Sequence, residues 1–284
     1  MFQLLSSSSK SLARRGELKT AHGVIQTPFF MPIATRGAVK TLTTDEVGGV
    51  GAQIILSNTY HLNIRPGVDL LKKVKGLHNF MSWTGPILTD SGGYQVFSLS
   101  KLRKITEAGV TFRDEIEGKN RELTPENVID IQMVIGSDIM MILDECPAWP
   151  ATKETMKESI ERTSRWAKRA FDYKEKTFKK KRVKKGRHLV YAIAQGGTFL
   201  DLRKQSIQDL KQYDFDGYAL GGLAVGEPRD EMYKILKAVT PTLPIDKPRY
   251  LMGVGKPEEI VQAVKFGVDQ FDCVIPTRHA RHGQ

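Results

Sequence analysis

The sequence predicts an α/β protein built as a (β/α)8 TIM barrel, and three observations carry that prediction. Eight short apolar runs recur at fairly even spacing, each closed by a polar or small residue. Helix-patterned segments separate them, which is what a parallel sheet buried on both faces requires. The length, 284 residues, suits one barrel with a sizeable core.

The chain in order supports each element. Residues 1–27 alternate like a hairpin and are expected to form a small antiparallel sheet closing the bottom of the barrel. Residues 28–34 give the first barrel strand, and 53–56 the second, ending at Ser57, Asn58 and Thr59. The third, 86–89, ends at Asp90, Ser91, Gly92 and Gly93. The fourth, 138–143, ends at Asp144, Glu145 and Cys146, and the fifth, 189–194, at Gln195, Gly196 and Gly197. Residues 217–220 run into Gly221, Gly222 and Leu223, and 249–251 into Met252 and Gly253. The eighth strand is expected over 268–275, stopped by Pro276. Start signals mark two helices, at Thr124-Pro125-Glu126-Asn127 and Lys256-Pro257-Glu258-Glu259. The longest helix is expected over 152–171. Residues 1–284 are read as one catalytic domain.

Composition narrows the class. Hydrophobic content of 40% and charged content of 26% are those of an ordinary globular protein. No apolar run approaches the roughly 20 residues of a membrane span, and residues 1–15 lack the pattern of a signal peptide. Two cysteines, Cys146 and Cys273, have neither disulfide nor metal-site spacing, so a reducing cytoplasm is expected, with no membrane partner. The net charge of +11 favours a polyanionic partner. Much of it is concentrated in residues 174–188, read as a solvated basic linker between a helix and a strand that adds attraction to nucleic acid.

Barrel chemistry sits at the C-terminal ends of the strands. Those ends carry Asn58, Asp90, Asp144, Gln195, Gly222, Met252 and Asp272. A carboxylate inside an apolar run, as at Asp272, is costly without a task or partner. Two carboxylates facing one substrate divide the work, one attacking a sugar's anomeric carbon and the other moving protons. A third, Asp144, beside the amide of Gln195 suits a flat heterocycle with ring N–H groups. Tyr94 and Met252 have the shapes to clamp such a ring. After Asp272, a cationic loop with Arg278, His279, Arg281 and His282 suits phosphate oxygens.

At these residues the chain closely resembles the tRNA-guanine transglycosylase family. The matching stretches are residues 56–62, 88–97, 143–146, 195–197, 220–227, 249–255 and the Asp272 segment, in the same order over nearly the whole chain. The resemblance implies an enzyme that exchanges guanine at the anticodon wobble position of tRNA for a deazaguanine, within queuosine biosynthesis. Asp272 matches the nucleophile and Asp90 the general acid and base. Asp144, Gln195, Gly222 and Leu223 match the base-recognition set, with Ser91, Asn58 and Cys146 beside it, and Tyr94 and Met252 match the stacking pair. Arg278 and Arg281 match positions on the anticodon-loop backbone. Cys146 and Val225 are similar to the bacterial branch, whose incoming base is preQ1; the partners implied are thus tRNA, preQ1 and guanine, with a homodimer as a candidate assembly. The family also binds a structural zinc through three cysteines and a histidine downstream of Arg281. Those ligands fall beyond Gln284, so a shortened chain is expected, without the zinc subdomain and the last barrel helix. His279 and His282 stand where bacterial relatives commonly have Asn or similar residues. Two further readings stay open: a non-catalytic tRNA-binding relative, and a barrel enzyme acting on a free nucleoside.

Overall fold

The computed structural model describes residues 1–99 and 103–284. Strands β1 (Phe2–Ser7), β2 (Arg14–Thr20) and β3 (Gly23–Thr27) form an antiparallel sheet in that order. Strand β2 alternates buried and exposed side chains, as a sheet with one covered face must. Leu18 and Ile25 on its covered face join the main hydrophobic core.

The barrel strands are β4 (Phe29–Met31), β5 (Ile55–Asn58) and β6 (Ile87–Asp90), then β10 (Ile139–Met141), β11 (Leu189–Ala194), β12 (Gly217–Leu220), β13 (Arg249–Leu251) and β14 (Gln270–Asp272). They lie in the order β4-β14-β13-β12-β11-β10-β6-β5, with parallel pairing throughout. A parallel bridge from Ile33 to Leu56 and a hydrogen bond from Ala34 N–H to the Leu56 carbonyl (2.6 Å) bring the two ends together. Every residue of β5, β6, β11 and β12 is buried, which explains their unbroken apolar sequence. The two predicted helix starts are in place. Thr124 caps its helix with a reciprocal box to Asn127, and Pro257 opens the helix Pro257–Lys265.

Four features differ from the sequence reading. Between β6 and β10, strands β7 (Arg103–Ile105), β8 (Val110–Arg113) and β9 (Asn120–Leu123) form a separate antiparallel sheet. Its signal was legible in β8, where Val110 and Phe112 are buried and Thr111 and Arg113 exposed. Strand β14 stops at Asp272, and Pro276 lies in the first turn of the helix Ile275–Arg281. A proline there forfeits no helical hydrogen bond, so it starts this helix where it was expected to stop a strand. The cationic segment is accordingly a helix and not a loop.

The fourth difference concerns the lysine run. The long helix is Lys153–Lys180, so the run begins as helix, and only residues beyond Lys180 form the link to β11. At 1.5 Å per residue these 28 residues span about 40 Å. The lysine end reaches the N-terminal end of the barrel, where Phe178 meets His188 and the His188 ring bonds the Ser137 carbonyl just before β10. The strand ends that carry the polar residues lie at the opposite end.

The N-terminal end of the barrel is closed by buried charge. Arg14 Nε and Nη2 donate to the two oxygens of Asp269 at 2.9 and 2.5 Å, and Arg14 also donates to the carbonyls of Ile245 and Lys247. Asp269 accepts the Arg249 N–H as well, at 2.7 Å. A second clamp joins the β2–β3 turn to β10. His22 Nδ1 lies 2.8 Å from Asp138, which also accepts the Ile87 N–H. Burial pushes the Asp138 carboxyl up, but hydrogen bonds from His78, Ile87 and His22 outweigh it and hold it below the usual range. Replacing Arg14 with Ala leaves Asp269 buried without its cation. The expected loss is about 3 kcal/mol or more, read as a lower urea midpoint with an unchanged slope; an unchanged midpoint refutes the clamp.

Candidate active site

Three carboxylates converge at the C-terminal end of the barrel. Asp90 is the last residue of β6, Asp144 follows β10, and Asp272 is the last residue of β14. Each is fixed by its own set of donors.

Asp90 is nearly enclosed, with 7% of its surface exposed. Asn58, at the end of the neighbouring strand β5, donates its Nδ2 to Asp90 Oδ2 at 3.0 Å, and the Ser91 N–H donates to Oδ1 at 2.9 Å. Burial first, then the charges of Asp144 and Asp272, push the Asp90 carboxyl up to about 7; hydrogen bonds from Ser91 and Gln95 offset only part of this. An acid with that value is poised to give and take a proton near neutrality.

Asp144 accepts Gln195 Nε2 at 2.6 Å and the Ser91 hydroxyl at 3.4 Å. Burial raises its carboxyl to about 6 in spite of those donors. The Gln195 Oε1 atom is buried and has no hydrogen-bond partner among the described residues, an acceptor that costs free energy until something polar meets it. Gly222 lies against it. At φ +61, a Cβ on Gly222 would fall 2.3 Å from Gln195 Oε1, so only glycine fits. Gly93 is tied to the same place, since a Cβ there would meet the Asp144 carbonyl at 2.6 Å.

Asp272 receives both its hydrogen bonds on one oxygen. Tyr250 OH donates to Oδ1 at 2.5 Å and the Gly253 N–H donates to the same atom at 2.8 Å. Oδ2 has no hydrogen-bond partner among the described residues. Burial raises the Asp272 carboxyl, opposed by the two donors.

The remaining sequence candidates fall around this cluster. Tyr94 is 46% exposed on the helix Gly93–Leu99, and Met252 is partly buried after β13, packed against the core. Leu223 is buried in the main core, so its side chain is occupied by packing. Cys146 is buried beside Gly222, and burial pushes its thiol up to about 12, leaving it neutral. Arg278 is exposed and Arg281 half-buried on the helix directly after Asp272, and Arg281 donates to the Thr277 carbonyl at 3.0 Å.

Two residues were missed. Tyr250 sits within a motif already singled out, but its role as the donor to Asp272 depends on neighbouring strands in register. Arg203 lies at the site with no functional assignment from sequence. It was findable, because it shares the inward stripe of its helix with Ile207 and Leu210, where a cation is out of place.

Metal ligands were not expected from spacing, yet folding brings His22, His78 and Asp138 together, with ligand atoms within 4.8 Å. The two rings stack at 3.8 Å with 26° between their planes. Their in-plane lone pairs therefore run side by side and do not converge on one ion, which fits the clamp described above. The three-cysteine, one-histidine set is likewise not met by the described residues, since the two cysteines are buried on separate strands' ends.

The folded state binds the Asp90 proton more tightly than the unfolded chain, so its contribution to stability is greatest in acid and is lost as pH rises toward about 7. Asp90→Asn removes that loss. Its melting temperature at pH above 7 is expected to exceed that of the wild type by roughly 5 °C, with the gap closing in acid; equal melting curves at high pH would show that Asp90 is not a strained buried acid.

Comparison with known proteins agrees with this arrangement. The sequence model of the family described as Queuine tRNA-ribosyltransferase matches residues 8–284. Queuine tRNA-ribosyltransferase of Natranaerobius thermophilus is 52% identical over 99% of this chain and 74% of its own length. The proteins of the same name from Halalkalibacterium halodurans and Listeria monocytogenes are 51% and 52% identical, each over 99% of this chain and 72% of theirs. None of the helices is long and apolar enough to cross a membrane, among the described residues. A barrel whose polar strand ends carry this cluster, matched over almost its full length, belongs to the queuine tRNA-ribosyltransferase family.

Proposed function

We propose that this chain exchanges guanine at the wobble position of a tRNA anticodon for preQ1, through a covalent enzyme–RNA intermediate, and that residues 1–284 act as one catalytic domain. The observation that carries the reading is the asymmetry of Asp272. One oxygen is held by Tyr250 and Gly253, and the other is unengaged beside an acid raised to about 7.

The steps follow from that asymmetry. The reacting nucleotide leaves its stack and enters the pocket, as chemistry on a base requires. Asp272 Oδ2 attacks C1′ of the ribose while the C1′–N9 bond breaks and its electron pair passes to the purine. Asp90, holding a proton, protonates the departing guanine. The result is a ribosyl ester on Asp272, free guanine and ionised Asp90. An incoming preQ1 gives its proton to Asp90, its ring nitrogen attacks C1′, and Asp272 leaves as a carboxylate. Both bases occupy one pocket in turn, which is ping-pong chemistry.

Base recognition falls to Asp144, Gln195 and the Gly222 backbone. Asp144 accepts from ring N–H groups, and the unpartnered Gln195 Oε1 supplies a second acceptor. Cys146 fills the wall beside Gly222, which favours a small incoming base such as preQ1 over queuine. Tyr94 and Met252 bracket the ring. Arg278 and Arg281 approach the phosphates of the anticodon loop, a sequence-independent term that salt weakens. A homodimer belongs to the same reading.

A denaturing gel of the protein with an anticodon stem-loop RNA and guanine tests the chemistry. The expected result is a covalent band that disappears in Asp272→Asn; a band persisting in that variant removes Asp272 as nucleophile. In Asp144→Asn one acceptor becomes a donor while the ribose chemistry is intact. Discrimination between guanine and adenine is expected to fall about tenfold or more, measured as the ratio of exchange rates, and wild-type selectivity would refute the role of Asp144.

A further inference from the structure

Arg203 is fully buried, and its hydrogen bonds are unusual for a buried cation. It lies on the helix Leu200–Leu210 that follows β11. Nε donates to the Gly197 carbonyl at 2.7 Å, and Nη1 donates to Ala194 (3.0 Å) and Gly221 (2.6 Å). Nη2 donates to Gly222 at 3.0 Å. All four acceptors are backbone carbonyls, at the end of β11 and on the two loops that carry Gln195 and Gly222. Among the described residues no carboxylate makes an ion pair with it within 4.0 Å. Burying an unpaired charge is costly, and neutral amide groups would satisfy carbonyls at less cost. Burial lowers its pKa to about 10, so it stays charged at neutrality.

The shortest of its contacts to the second loop falls on a peptide with two ends. The Gly221 carbonyl takes the 2.6 Å hydrogen bond, and the N–H of the same peptide belongs to Gly222, beside Gln195 Oε1. No partner is recorded for that N–H among the described residues. A cation on the oxygen of a peptide draws density from its nitrogen and strengthens the N–H as a donor, and chains of this kind reinforce one another in a dry site.

We infer that Arg203 is a positioning residue that charges the base-binding edge from behind, polarising the Gly221–Gly222 peptide so that the Gly222 N–H stabilises negative charge arriving on the leaving purine. The inference rests on the base-exchange reading above. As the Asp272–C1′ bond forms and the C1′–N9 bond breaks, the electron pair spreads from N9 to the purine's carbonyl oxygen, until the proton from Asp90 neutralises the base. A donor backed by a full charge, aimed at that oxygen, lowers the barrier to departure while adding little to ground-state binding.

The test separates charge development from loop shape by changing the leaving group. Single-turnover adduct formation is measured on stem-loop RNAs carrying either guanine or N7-methylguanine at the reacting position, below the pH at which the methylated base loses its N1 proton. The methylated base is already cationic and departs neutral, so no negative charge builds on its oxygen. In Arg203→Gln the guanine RNA is expected to slow about tenfold more than the methylated RNA relative to wild type. In Arg203→Lys, which keeps the charge, the wild-type ratio is expected to return. The ratio is taken within one protein, so it does not depend on how much of a variant is folded. If Arg203→Gln fails to fold, Arg203→citrulline gives the same comparison, with the shape kept and the charge removed. Equal slowing of both RNAs would overturn the inference and leave Arg203 a brace for the two loops. Absence of an adduct with either RNA in the wild type would instead overturn the base-exchange reading.

Discussion

Asp90, Asp144 and Asp272 share a small, water-poor space at one end of an apolar barrel, and that crowding governs the rest of the site. Desolvation pushes all three up, and at Asp90 the charges of Asp144 and Asp272 push further in the same direction. Differences in their donors divide the labour. Asp272 keeps two strong donors on a single oxygen, Asp144 is met by an amide and a hydroxyl, and Asp90 carries the largest share of the repulsion. The three carboxylates thereby differ in which oxygens stay open, which is the difference the proposed roles of nucleophile, acceptor and proton carrier draw on. Such a cluster is unfavourable for folding, and it persists because the barrel beneath it is over-determined.

That support is visible strand by strand. Fully buried strands hold the backbone at the strand ends, and the inward residues Tyr191, Tyr250 and Gln270 pack the barrel interior, Gln270 reaching across to the Tyr191 hydroxyl. Tyr250 does two jobs, filling core and donating to Asp272. Arg203 links two successive loops through their carbonyls, where side-chain packing alone would leave the glycines mobile. Glycine at 93 and 222 is a consequence of the same crowding, because the neighbours leave no room for a Cβ.

The two ends of the barrel solve opposite problems. At the N-terminal end, polar groups are partnered: Arg14 pairs with Asp269, and the His22 and His78 rings meet Asp138. There the polar groups secure the first sheet to the barrel. At the C-terminal end, like charges are gathered and polar atoms such as Gln195 Oε1 are left unsatisfied. The basic stretch at the end of the long helix falls with the first group, some 40 Å along that helix from its start. Its charge belongs to a different face from the arginines of the helix after Asp272.

The sequence by itself determined the fold class and the set of strand-end residues, because parallel barrel strands are continuous apolar runs and their chemistry is confined to one end. Family motifs added the roles expected of Asp272, Asp90 and Asp144. Local boundaries were less legible. Pro276 and the lysine run were read as breaks, although proline is equally at home in a helix's first turn and lysines are good helix formers. Tertiary structure alone decided which donors meet which carboxylate, that Tyr250 and Arg203 stand behind the site, and that the lysine run faces away from it. These are distances between residues far apart in the chain, set by strand register and barrel closure, and no local pattern in the sequence encodes them.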